Sequence, residues 1–457
     1  MRLRYFRQIQ NMETISNAKQ RALLDMNAYQ WTALLAAWLG WGFDVFDGLL
    51  FNYVAPNCVP TLLGLTIGSA EAKSATLEWT GILTSVLLVG WAVGGIIFGK
   101  VADRIGRTKT LLLTMVLYAL GTALCAFAPN IWFLMMCRII SSLGIGGEWA
   151  AGAAMVAEVV PESRRVEAGA LLYTSAPMGL FLATFLTYQI TGVYFNDPAV
   201  SWRYVFLCGL IPAAAAFIVR IFIKEPERWK RVSGGETAAK LSELFSPKYL
   251  KLTVSGFCMA VTALIAWWSC NAFIPVVAKG LAQQDIVLRG LDAASAETLG
   301  QQFIKTATNS FNLGGLIGTL LTIPAAKFLG RKKMFFIYYL LSAAAIMAAF
   351  KLDLEPSQRL YMYFPIGLTV FGVFGSFTYY LPELFPTRLR GTGAGFTYNI
   401  GRLIAAIGPF LVGSIAARGA NALESAMNVL FFVGFVPVIG LLTLPFVIET
   451  KGRVLED

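Results

Sequence analysis

Twelve stretches of roughly 18–25 mainly apolar residues dominate this chain, and each is long enough as a helix to cross a hydrocarbon core of about 30 Å. They fall near 30–55, 79–99, 110–128, 131–157, 167–192, 202–223, 251–278, 304–328, 334–351, 359–382, 393–417 and 425–448. Inside a bilayer no water satisfies backbone N–H and C=O groups, so such stretches fold as helices that pair those groups internally. The 457 residues are 57% hydrophobic and only 14% charged, with mean hydropathy +0.64. A soluble protein of this length carries about 25% charged residues. The expected fold class is therefore an all-α membrane protein with twelve transmembrane helices.

The net charge of +11 and the pI of about 9.3 allow two readings, a nucleic-acid partner or the basic bias of cytoplasmic loops. Residues 1–29 are polar and basic and lack a signal-peptide core with a cleavage site, so the amino end is expected to stay inside. On that footing the inner segments hold 26 of the 37 basic residues, and Arg138, Arg220 and Arg402 lie within the runs themselves. This asymmetry orients the chain with both termini cytoplasmic and accounts for the basic pI without nucleic acid. The six cysteines lie in or beside apolar runs with no metal-ligand spacing and read as buried free thiols. Histidine is absent, so proton chemistry must use carboxylates. No cofactor, metal or enzymatic chemistry is expected.

An internal repeat organises the runs. Gly106-Arg107 returns as Gly330-Arg331 at an offset of 224, and Glu158, Pro161 and Arg165 return as Glu383, Pro386 and Arg390 at 225. Tyr173 returns as Tyr398 at 225, and Glu225 as Glu449 at 224. Two six-helix repeats of one orientation imply a pseudo-twofold axis along the membrane normal and a cleft between halves. The expected units are an N-terminal segment 1–29, a bundle 30–223, a linker 224–250 containing Ser233-Gly234-Gly235, a bundle 251–448 and a tail 449–457.

Charges within the runs point to function, because each costs about 2.5–3.5 kcal/mol to insert at mid-helix. Asp44 lies 14 residues into the first run, roughly 21 Å from its inner end, and Arg138 lies 7 residues into the fourth, roughly 10 Å from its outer end. Across a 30 Å core the two share a level. Asp47 is one turn further out on the face of Asp44, where it shares the proton or faces the outer vestibule. Glu148, roughly 15 Å deeper than Arg138, reads equally as a second proton site, an inner gate or a helix-packing charge. Arg402 sits near the middle of the eleventh run with no obvious carboxylate of the second half at its depth. An anionic ligand or backbone carbonyls would each satisfy it, and the guanidinium fork matches a carboxylate in two places. Asn399, Tyr398 and Tyr173 stand beside it as neutral hydrogen-bonding groups. Trp267, Trp268 and Asn271 of the seventh run, with Phe377, Tyr379 and Tyr380 of the tenth, are candidate walls, although span aromatics more often pack or anchor.

Several loops resemble those of the major facilitator superfamily. Gly99-Lys-Val-Ala-Asp103-Arg104-Ile-Gly106-Arg107 matches its loop between spans two and three. Arg138-Ile-Ile-Ser-Ser-Leu-Gly144-Ile-Gly146, Pro382-Glu-Leu-Phe-Pro-Thr-Arg-Leu-Arg390-Gly and Glu449-Thr-Lys-Gly-Arg453 resemble the sugar-porter branch. Gly146-Gly147-Glu148-Trp149 and Gly42-Phe43-Asp44-Val45-Phe46-Asp47 look more like the proton symporters of sialate, lactate and aromatic acids, and the seventh run lacks the paired glutamines of sugar porters. The resemblance implies a secondary transporter working by alternating access, with Asp44 and Arg138 as the proton-coupling pair. A static tie between two helices is the competing reading of that pair. It also implies an inner salt-bridge network that gates the cleft, here Asp103, Arg104, Arg107, Glu158 and Arg165 with Arg331, Glu383 and Arg390. Lys327 stands where the repeat would place an acid, so that copy is degenerate. The expected partners are protons, the bilayer and a small, anionic substrate, carried by a monomer in the cell membrane. A neutral sugar or polyol carrier, or a non-transporting nutrient sensor, are the alternatives.

Overall fold

The computed structural model describes residues 26–105, 107–161, 164–195, 197–211, 214, 240–290 and 296–452. Side chains of 99–100, 102–105, 107–108, 111, 147–155, 157–159, 165, 387–388 and 391 lie outside that description. So do most of the expected N-terminal segment and linker, and the end of the tail.

Among the described residues the chain is helical with no strand. The first half contributes α1 (Ala28–Leu63), α2 (Ala70–Ile105), α3 (Arg107–Cys125), α4 (Ile131–Val159), α5 (Arg165–Tyr173), α6 (Ser175–Gln189) and α7 (Ser201–Cys208). The second contributes α8 (Leu250–Asn271), α9 (Ile274–Arg289), α10 (Ala296–Pro324), α11 (Arg331–Lys351) and the composite helix α12 (Pro356–Leu384). It closes with α13 (Thr387–Ala405), α14 (Ile407–Ala416), α15 (Ala422–Val433) and α16 (Phe435–Leu442). Among the described residues nine helices are long and apolar enough to cross a membrane, and the shorter Leu112–Cys125 and Ile131–Gly146 fill the third and fourth runs. The sixth run is described only at its start.

Local chemistry sets the helix ends. Asn27 and Gln30 exchange side-chain-to-backbone hydrogen bonds of 2.9 Å at the start of α1, a capping box that satisfies two orphan N–H groups. Gly64, with φ of 69°, ends the same helix in the left-handed region. Proline divides several runs internally, because its ring lacks an N–H for the carbonyl four residues earlier. Pro177 follows the break at Thr174 between α5 and α6, Pro275 the break between α8 and α9, and Pro409 the break at Ala406 between α13 and α14.

In the first half α4 packs against both α2 and α3, and α1 against α6. Gly144 and Gly146 let α4 approach on two sides. A Cβ on Gly144 would lie 2.7 Å from the Thr114 carbonyl oxygen on α3, and one on Gly146 would lie 2.1 Å from that of Trp91 on α2. In the second half α8 packs on α13, and α10 on the middle of α12. The halves meet where α2 packs on α14 and α13, and where α5 and α6 pack on α10. Side chains that face outward, such as Ile96, Leu120, Met136, Leu340 and Phe432, are apolar and exposed, a surface suited to lipid and not to water.

Candidate functional site

Between the halves lies a central cavity of about 30 Å³, room for a water or two. Both halves line it. Trp41 and Leu49 of α1, Trp91 of α2 and Tyr173 of α5 face Trp267 and Trp268 of α8. Phe371 and Phe374 of α12, with Tyr398 and Arg402 of α13, complete the wall. Its rings interlock across the halves. Trp91 meets Trp268 edge-on at 5.9 Å between centroids, and Tyr173 stacks on Phe374 at 5.9 Å and 23°. Trp267 and Trp268 meet edge-on at 4.7 Å.

Arg402 is the charge in this wall, and only 2% of it is exposed. Its Nη1 donates to Asn399 Oδ1 at 2.9 Å. The guanidinium lies over the Trp91 ring at 4.3 Å and the Tyr398 ring at 4.9 Å, both within cation–π range. Its Nε has no hydrogen-bond partner, and no ion pair reaches it among the described residues. The repeat-related Tyr173 and Tyr398 both line the cavity beside it. Five of the residues singled out from sequence therefore converge with Arg402: Asn399, Tyr398, Tyr173, Trp267 and Trp268.

Others do not. Tyr379 points away from the cavity; its hydroxyl donates to the Thr322 carbonyl and to Met334 Sδ, both at 3.4 Å, and Arg331 lies over its ring at 5.6 Å. Tyr380 bonds Ser255 and the Ile448 carbonyl. Asn271 is buried at the end of α8, beyond the cavity wall, and Phe377 packs on Phe335 and Phe374. These four are corrections to the expected lining. Trp41, Trp91, Phe371 and Phe374 are what the sequence reading missed, and their positions in apolar runs give no polar signal to find them by.

Asp44 and Asp47 are both buried on α1. Arg138 meets that helix one turn beyond Asp44, donating to the main-chain carbonyls of Asp47 at 3.4 Å and of Gly48. Arg138 thus ties α4 to the main chain of α1 at the turn after Asp44. Asp47 Oδ2 accepts from Thr122 Oγ1 at 2.6 Å, while its Oδ1 has no partner. The side chain of Glu148 lies outside the described residues.

At the end of the molecule where the described chain begins and ends lie the second-half residues expected to gate. Arg331 grips Glu383 with two bonds, 2.7 and 3.1 Å, and Thr450 donates to the same carboxylate at 2.6 Å. Arg390 donates to the Pro382 carbonyl at 3.2 Å. The first-half counterparts Asp103, Arg104, Arg107, Glu158 and Arg165 have side chains outside the described residues. Lys327, the degenerate repeat position, crosses to the other half and pairs with Glu167. At the opposite end Asn57 of α1 bonds Lys279 and Glu297 of the second half.

Known proteins place this arrangement. The family model described as Major Facilitator Superfamily matches residues 31–409. The sialic acid transporter of Escherichia coli is 26% identical over 82% of this chain and 85% of its own length. The gentisate transporter of Corynebacterium glutamicum is 25% identical over 89% of this chain and 85% of its own. Among solved structures, that of a D-xylose-proton symporter superposes with a TM-score of 0.70 at 18% identity, covering 94% of this chain and 100% of the other. At that identity the likeness speaks for the fold.

Proposed function

The chain belongs to the major facilitator superfamily, so it is a multi-pass integral membrane transporter, and on that premise we propose that it moves a small organic carboxylate together with a proton. One observation carries the carboxylate: a buried guanidinium in a central cavity, with one N–H unbonded and no acidic partner among the described residues. Burying a charge without a counter-charge is costly, and a carboxylate that accepts from the Arg402 fork offsets that cost with charge-assisted hydrogen bonds. The two relatives carry sialic acid and gentisate, which share a carboxylate and little else.

In this reading the protein has twelve spans in two six-helix bundles, with both termini cytoplasmic, and sits in the cell membrane as a monomer. Binding between the halves and alternating closure of their two ends moves the ligand. Asp44 and Asp47 hold the proton on α1. Both are buried, Arg138 bonds the main chain of the same helix, and a change in water access at this point is what takes up and releases the proton.

Thermal shift of the purified protein with lactate, benzoate and D-xylose tests the substrate. The carboxylates should raise Tm and D-xylose should not, and Arg402→Gln should weaken the carboxylate response about tenfold or more. A response to D-xylose that Arg402→Gln leaves intact would replace this reading with a neutral-solute carrier. In liposomes the best responder should accumulate under an inward proton gradient. Asp44→Asn should still exchange that ligand across the membrane but lose accumulation; unchanged uphill uptake by this variant would remove Asp44 from coupling.

A further inference from the structure

Resting on the assignment of Arg402 to a carboxylate, we infer that the site selects flat, π-conjugated carboxylates and that Trp91 is the residue that makes the selection. The cavity of about 30 Å³ is too small for any ring, so a ligand enters only as the facing walls part. Those walls are rings from opposite halves, Trp91 against Trp268 and Tyr173 against Phe374. A flat ligand slides between the near-parallel Tyr173 and Phe374 rings, beside the edge-on Trp91–Trp268 pair, with about one van der Waals layer of separation, some 3.5–4 Å, whereas a puckered ring needs substantially more. Trp91 holds a particular place in this slot. Its face already carries the Arg402 guanidinium at 4.3 Å, so a carboxylate bound to Arg402 brings its own ring beside that indole.

The polar inventory points the same way. Arg402 Nε, Trp91 Nε1 and Trp267 Nε1 are buried donors without partners, and all three residues line the cavity. The side-chain acceptors are the hydroxyls of Tyr173 and Tyr398. No Asp or Glu among the described residues lines the space. A polyhydroxylated ligand would bring several O–H donors into a chamber with few acceptors, and each left unmet is costly. A carboxylate on a conjugated ring brings acceptors only, and its π-face suits the aromatic walls.

Benzoate and cyclohexanecarboxylate form a matched pair, with the same charged group and similar size but a flat against a puckered ring; gluconate adds hydroxyls. Calorimetric titration of the native protein should show benzoate binding about tenfold tighter than cyclohexanecarboxylate, with gluconate weakest. Trp91→Leu should weaken benzoate about tenfold and leave cyclohexanecarboxylate within about twofold, so the preference disappears, while Trp91→Phe should keep most of it. Equal binding of the two ring acids by the native protein overturns the inference even if the leucine variant fails to fold. Equal weakening of both by Trp91→Leu reduces Trp91 to a support for Arg402 and also overturns it. The underlying carboxylate assignment fails separately, if none of the three acids binds or if Arg402→Gln binds them as the native protein does.

Discussion

Glu449 shows how much one side chain can organise. Its carboxylate accepts from the backbone N–H groups of Arg331 and Lys451 at 2.9 Å and of Lys332 at 3.0 Å, closing the N-terminus of α11 from a distant part of the chain. Gly330 makes room. Its φ is 88°, and a Cβ there would lie 2.6 Å from the carboxylate. Partial burial opposes the charge, but the three N–H donors and the Arg331 guanidinium outweigh it and hold the carboxyl below its ordinary value of 4.5. A folded-state value below the unfolded one means that this bond stabilises fully above the ordinary glutamate range. The contribution is lost as pH falls through the depressed value. Melting temperature should therefore drop below about pH 4.5, and Glu449→Gln should lower it at neutral pH while flattening part of that acid slope. An acid limb identical in the variant would show that Glu449 contributes nothing to it.

At the scale of helices, the glycines of the fourth-run motif and the prolines of three runs decide how close and how straight the elements are. Gly146→Ala would put a methyl 2.1 Å from the Trp91 carbonyl and 2.6 Å from the Gly95 nitrogen, forcing α2 and α4 apart. It should cost about 1–3 kcal/mol and weaken ligand binding as well, since Trp91 moves with α2. Gly395→Ala on α13 meets nothing within 4 Å and should leave the melting temperature unchanged or slightly raised. Melts and titrations of the pair in detergent separate packing from a general intolerance of substitution. These elements were largely legible. Eleven apolar runs coincide with described helices, and the caps at Asn27 and Gly64 follow ordinary residue preferences. The prolines were legible too but not read: Pro177 and Pro409 follow Tyr173 and Arg402 by four and seven residues, and discontinuous helices mark transporter sites.

Across the whole molecule the halves are tied at both ends. At one end Lys279, Asn57, Glu297 and Gln301 form a linked cluster, with Lys279 to Glu297 at 2.9 Å and Gln301 to Glu297 at 2.9 Å. At the other, Lys327 pairs with Glu167, which Arg164 also approaches at 3.4 Å. Alternating access requires these ties to part in turn. Lys279→Met should raise thiol labelling of a cysteine placed at Ala176 from the outer side about fivefold, and Lys279→Glu with Glu297→Lys should restore it. Labelling raised equally from both sides would mean general loosening instead. What the sequence determined by itself was the solvent, the helical class, the basic asymmetry and the twofold repeat, because run length, charge and spacing are properties of a line. Arg402 was legible for the same reason, since a charge in an apolar run stands out wherever it faces. Which aromatics meet it was decided only by tertiary structure. Trp91 and Tyr379 both lie in apolar runs, and turning a helix between lipid and protein barely changes the transfer free energy of an apolar side chain. Only the packing of α2 on α4, through Gly146, and of the halves on each other brings Trp91 over the guanidinium and leaves Tyr379 beneath Arg331.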